Sequence, residues 1–164
     1  MSFDPGPLAG VSYRHEADRW TLVFVRRFAH PPEAVWAALT DPAQIAAWAP
    51  YTVDPDDDRD DPLAEVTRAE PPSLLEHRWG PDRLRWELVP ADGGTELTLR
   101  HTTAEADGVS KAAAGWHLCL LVAERLLDGT PIDPIRGMEA MDYGWAELEK
   151  AYAERLGVSA SGPA

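Results

Sequence analysis

Between Leu75 and His101 the chain alternates apolar and polar residues three times over. Leu75, His77 and Trp79 interleave with Glu76 and Arg78, then Leu84, Trp86 and Leu88 with Arg83, Arg85 and Glu87, then Leu97, Leu99 and His101 with Glu96, Thr98 and Arg100. Successive side chains of a strand point to opposite faces, so this period predicts antiparallel strands buried on one face and wet on the other. Gly80-Pro81-Asp82 and Ala91-Asp92-Gly93-Gly94 supply the connecting turns. An earlier segment, Arg19 to Phe28 (RWTLVFVRRF), is dense in β-branched and aromatic residues and also predicts a strand. Both of its faces are apolar, so alternation alone does not choose the inner one. A further strand-like piece runs from about Ala64 to Glu70 and stops at Pro71-Pro72.

Elsewhere the period is helical. After His30-Pro31-Pro32 a helix is expected over about Pro32–Leu39, since proline suits a first turn whose N–H groups have no partner. Thr40-Asp41-Pro42 reads as a new N-cap, opening a second short helix to Trp48. From about Ser110, SKAAAGWHLCLLVAERLLDG is a long helix stopped by Gly129 and Pro131. At ~1.5 Å per residue it is about 28 Å long, enough to cross a sheet. Ala112, Trp116, Cys119, Leu120, Ala123 and Leu127 form one stripe, and Leu118, Leu121 and Val122 a second, so both sides of this helix need cover. A last helix, about Glu139–Leu156, carries Met141, Trp145, Leu148, Tyr152 and Leu156 at helical spacing and can supply one cover. Residues 1–18 are expected to be an irregular lead-in, 19–157 one domain and 158–164 a flexible tail. The fold class is α+β: a curved antiparallel sheet gripping a long C-terminal helix, with two short helices after the first strand and a capping helix at the end. Where sheet and helix diverge, such an arrangement leaves room for a ligand.

The 164 residues suit a single domain with a sizeable core. Twenty-eight acids against 15 bases give a formal charge of −13, which disfavours binding to nucleic acid or to anionic membranes. A single cysteine excludes an internal disulfide framework and a CxxC zinc site. The first twenty residues have no apolar stretch with basic flanks, and no run of 18 apolar residues occurs, so neither a signal peptide nor membrane insertion is expected. A cytoplasmic monomer or weak homodimer is expected, with no cofactor.

The segments HPPEAVWAALTDPAQIAAWAP (His30–Pro50), EPPSLLEHRWG (Glu70–Gly80), GGTELTLRHT (Gly93–Thr102) and GWHLCLLVAERLL (Gly115–Leu127) together resemble the SRPBCC superfamily, the START-like, helix-grip proteins of the Bet v allergen type. Within it the chain is most similar to the group named after the activator of the 90-kDa heat-shock chaperone's ATPase, and DYGWAELEKAYAERLG is similar to bacterial members. The resemblance covers about residues 19–157. It implies the helix-grip fold and, at superfamily level, binding or processing of apolar small molecules such as lipids, sterols and polyketides. One departure stands out. The short, aspartate-rich segment Tyr51–Glu70 replaces two longer strands usual in the family, which implies that these are short or that one is absent.

Trp79, Trp86 and Trp116 on inward positions, with Trp48 at the mouth, form the candidate wall of an aromatic pocket, together with Leu99, Leu120 and Ala123. The same side chains would equally fill an ordinary core. His77 and His101 sit on inward strand positions and are the weak candidates for orienting a polar group or acting as a general base; each would also serve as a hydrogen-bonded core histidine. Cys119 faces the sheet, and His117 lies too far round the helix to activate it, so a buried bystander lining the pocket is the expectation. Asp54, Asp56, Asp58, Asp60 and Glu65 fall at positions 1, 3, 5, 7 and 12 of a calcium loop, but Arg59 stands where that loop needs glycine and Pro62 interrupts it. No metal site is therefore expected, and the run reads as a solvated acidic stretch.

Three functions compete on these residues. The first is binding of an apolar, lipid-like or aromatic small molecule under the long helix. The second is protein interaction of a co-chaperone kind. The third is an acid–base enzyme resembling polyketide cyclases, dehydratases or aromatases. The first is favoured, and nothing commits the chain to catalysis.

Overall fold

The computed structural model describes residues 8–16, 18–49, 66–79, 82–104, 108–130, 132 and 144–157. Its strands are β1 (Gly10–Glu16), β2 (Arg19–Phe28), β3 (Val66–Glu70), β4 (Leu74–Trp79), β5 (Asp82–Ala91) and β6 (Gly94–Thr103). They form one curved antiparallel sheet in the order β1-β2-β6-β5-β4-β3. The alternating segments behave as their period requires. Leu84, Trp86, Leu97 and Leu99 are fully buried, whereas Arg83, Arg85, Glu96, Thr98 and Arg100 keep solvent.

Pairing decides what alternation leaves open in β2. Leu22 faces His101 and Phe24 faces Leu99 on β6, so Leu22 and Phe24 are the inner residues and Val23 and Val25 the outer ones. Gly10–Glu16 corrects the expectation of an irregular lead-in, because it pairs along its whole length with β2. Its alternation of Val11, Tyr13 and His15 with Ser12, Arg14 and Glu16 is real but only half apolar. It is an edge strand with partly exposed side chains, so the pattern is faint.

Helices α1 (Pro32–Thr40) and α2 (Pro42–Trp48) consequently follow the second strand, not the first. Both begin with proline, and the Asp41 carboxylate caps α2 by accepting from the Ala43 N–H at 3.0 Å. At the β5–β6 turn Asp92 and Gly93 take φ of 47° and 82°, the left-handed pair of a tight hairpin. The following Gly94 lies against the backbone of Phe28, where a Cβ would sit 2.2 Å from the carbonyl oxygen.

Helix α3 (Gly108–Leu127) lies on the sheet's inner face, with its Trp116 against Trp86 of β5 and His101 of β6. Both of its apolar stripes are covered, since Trp116, Leu118, Leu120, Leu121 and Val122 are all buried. Helix α4 (Trp145–Leu156) packs beside it. Ser110 Oγ donates to Glu149 Oε2 at 3.0 Å, and Tyr152 reaches the Phe24 ring of β2 at 6.1 Å. Residues 139–143, where this helix was expected to begin, the acidic run 54–61 and the tail 158–164 lie outside the described residues.

Candidate functional site

The inner face of the sheet is mostly apolar, and two imidazoles interrupt it. β4 brings in His77, β5 Trp86, β6 His101, α3 Trp116 and α2 Trp48, all buried. Trp48 and Trp86 meet edge to face at 6.1 Å and 89°, and Trp86 and Trp116 do the same at 5.3 Å and 89°. Such contacts place a ring's positive edge on its neighbour's negative face.

Each indole N–H is committed. Trp48 Nε1 donates to the Ala38 carbonyl at 2.7 Å, Trp86 Nε1 to His77 Nε2 at 3.0 Å, and Trp116 Nε1 to His101 Nδ1 at 2.9 Å. An indole N–H can only donate, so the imidazole nitrogen it meets must be the unprotonated one. His77 therefore carries its proton on Nδ1, which donates to the Arg78 carbonyl at 3.1 Å. His101 carries its proton on Nε2, which donates to Asp82 Oδ2 at 2.7 Å. All four ring nitrogens of the two histidines thus have partners inside the protein, and neither is poised as the general base that their inward positions suggested.

The remaining expected residues distribute as follows. Leu99, Leu120, Ala123 and Cys119 are buried around the same aromatic group. Cys119 is in no disulfide, and His117 turns away to meet the Tyr152 hydroxyl at 2.6 Å on α4. Trp48 is not at a mouth: it is 0% exposed, because α2 folds its apolar side under α1 and its N–H is spent on α1's backbone. Trp79 ends β4 opposite Asp82, and its side chain lies outside the described residues.

Three polar features were not singled out from the sequence. Asp82 anchors His101, and its place in a turn gave no sign of an inward bond. Arg26 occupies an inner position of β2, two residues from Phe24 and Phe28, and pairs with Glu124 of α3. Its Nε is buried with no hydrogen-bond partner, and its guanidinium lies 5.6 Å from the Phe28 ring centre. A charged residue in an apolar row was a legible signal here. The third feature is the seam between α3 and α4. There the Ala9 N–H donates to the Tyr152 oxygen at 2.8 Å, while burial pushes the Tyr152 phenol above its ordinary value. The phenol therefore keeps its proton, and its oxygen lies 2.6 Å from His117 Nδ1.

On the outer face Glu76 accepts from the Thr67 hydroxyl at 2.8 Å and from Arg85 at 3.2 Å. Burial alone would raise its carboxyl, but these bonds and the fields of Arg83 and Arg85 outweigh it and hold the group below its ordinary value. Among the described residues no cluster of three His, Cys, Asp or Glu side chains could hold a metal ion, and no helix is long and apolar enough to cross a membrane.

A curved antiparallel sheet closed over one long helix, with two short helices inserted after β2, is a helix-grip architecture. Residues 58–127, from the acidic run to the end of α3, match the family model described as "Activator of Hsp90 ATPase homolog 1-like protein". Among solved structures, the solution structure of CalU16 from Micromonospora echinospora is 21% identical, with a TM-score of 0.68 over 89% of this chain and 92% of that one. Its crystal structure is 22% identical, with a TM-score of 0.64 over 89% and 95%. EF2215 from Enterococcus faecalis, a conserved protein of unknown function, is 18% identical, with a TM-score of 0.63 over 88% and 89%. At these identities the likeness is one of fold. No curated protein matches the chain.

Proposed function

We propose that this protein binds an apolar or aromatic small molecule between its sheet and α3, as a cytoplasmic monomer or weak homodimer, in a unit running from β1 through α4. The observation that carries the reading is the way the aromatic group is held. Trp86 stands perpendicular to both Trp48 and Trp116, and each of the three is tied by its only polar atom to a carbonyl or an imidazole. Plain stability does not need buried polar anchors, since apolar residues of similar shape do as well or better. Anchoring instead fixes large rings in one orientation, which lowers the ordering cost of receiving a ligand. The orphaned Arg26 Nε at the inner surface offers such a ligand a donor for one acceptor atom.

Native mass spectrometry of the freshly purified full chain, followed by melting in the presence of fatty acids, sterols and flavonoids, tests this. The expected result is a bound mass or a melting-temperature rise with one class, both diminished by Leu120→Trp, whose larger ring would crowd the proposed site. A chain that carries no guest and does not respond to any class would sink the reading. The alternative suggested by the family's description, action on a chaperone ATPase, would instead show as stimulation of that ATPase by a ligand-free chain.

A further inference from the structure

The chain's net charge is −13, yet at one end of the outer sheet face its arginines gather. Arg78 on β4 and Arg83 on β5 are direct register partners. Arg83 in turn faces Thr102 of β6, Thr102 faces Thr21 of β2, and Thr21 faces Arg14 of β1. Register partners in an antiparallel sheet share a face, so these residues form one polar row across five strands. Arg19, at the start of β2, joins Arg78, Arg83, Thr102 and Asp82 in lining a pocket of about 210 Å³.

The electrostatics of this row are unfavourable as they stand. Like charges placed directly opposite each other on neighbouring strands repel, and Arg78 and Arg83 are so placed. Elsewhere on this face the arginines have carboxylates: Arg85 pairs with Glu76 and Glu87, and Arg100 with Glu87. Among the described residues Arg78 and Arg83 make no ion pair. The only carboxylate among the pocket's lining residues is Asp82, and its Oδ2 is taken by His101. Arg78 and Arg83 therefore face each other without an ion-pair partner among the described residues, with Glu76 acting on Arg83 only through its field. The Thr102 hydroxyl shares one hydrogen bond of 2.9 Å with Thr21 in which either can donate, so one proton of the pair is left for a third party.

We propose that this pocket is a binding site for a small phosphorylated molecule, held through its phosphoryl group by Arg78, Arg83 and Arg19 with Thr102. The planar guanidinium fork matches phosphoryl oxygens two at a time. The volume is below the ~300–1,000 Å³ of drug-sized sites, so it admits the phosphoryl group and little more. The site lies on the sheet face opposite α3, so it stands or falls separately from the reading of the inner face.

The test is a titration of inorganic phosphate and pyrophosphate into the full chain at constant ionic strength. It is followed by arginine Nε–H signals in ¹H–¹⁵N spectra and by melting temperature. Saturable shifts at Arg78 and Arg83 are expected, with a melting-temperature rise that chloride does not produce. Arg78→Ala and Arg83→Ala should each weaken binding about tenfold or more, the loss of one charge-assisted pair. Because each removes a repulsion, both variants should melt no lower than the parent in anion-free buffer. Arg27→Ala, an exposed arginine paired with Asp92 at the far end of the sheet, should leave binding unchanged. Non-saturating shifts, equal loss in all three variants, or a phosphate response surviving in Arg78→Ala and Arg83→Ala would overturn the site. Vesicles containing phosphatidic acid separate a lipid headgroup from a free phosphate. They are expected not to bind, and vesicle binding without a saturable response to free phosphate would also overturn it.

Discussion

Both faces of the sheet carry hydrogen-bonded polar side chains, but the bonds do different work. Inside, His77 and His101 are at most 6% exposed, and every nitrogen meets a partner in the protein. Outside, Arg85, Glu76, Glu87 and Arg100 form a ladder of ion pairs that water also reaches. Where water is excluded, a broken bond leaves an orphan whose desolvation is not repaid, so pairing is obligatory. Where water competes, the pair adds little and can be left incomplete, as it is at Arg78 and Arg83.

The largest loss should come from Trp86→Ala. It removes a fully buried ring and strands His77 Nε2, at about 3–5 kcal/mol by chemical denaturation. An inside cost no greater than that of an outside pair would erase the contrast between the faces.

Trp116→Phe isolates the polar part of that loss. It keeps an aromatic ring but leaves His101 Nδ1 without its indole donor, at about 1–3 kcal/mol in the same measurement. Gly94→Ala should cost a similar amount, about 1–3 kcal/mol, for a purely steric reason, since its Cβ would collide with the Phe28 carbonyl.

Titration separates the faces by sign. Glu76 is held below its ordinary value of 4.5, so its contribution is present above that pH and is lost as pH falls through and below it. Tyr152 is raised above 10.0, so its contribution is present below that pH and is lost as pH rises past it. Urea melts across pH should show a shallower acid slope in Glu76→Gln and a shallower alkaline slope in Tyr152→Phe.

The smallest effect belongs to Arg100→Ala. It breaks a 2.6 Å pair with Glu87 whose side chains are 40% and 33% exposed. It should cost no more than about 1 kcal/mol, and less in high salt.

Much of the architecture was legible because it is written in local periods. Leu84, Trp86 and Leu88 announce a one-sided strand, and Asp41-Pro42 announces a helix start. Strand β1 was obscured because an edge strand needs only half an apolar face, and Val11, Tyr13 and His15 barely supply one. The inward histidines and tryptophans were legible as positions. Their partnership was not, because His101 and Trp116 lie fifteen residues apart, on a strand and a helix of different period.

From the order of its amino acids alone, most of this protein's strands and helices follow, with the inner faces of β4, β5 and β6, because side-chain direction in a strand or helix is a matter of neighbours two to four positions away. The tertiary structure decided which nitrogen of each imidazole carries the proton, which arginines find a carboxylate, and that Trp48 lies enclosed. Those outcomes depend on which distant segments meet once water is expelled between them, and no local repeat along the chain encodes that meeting.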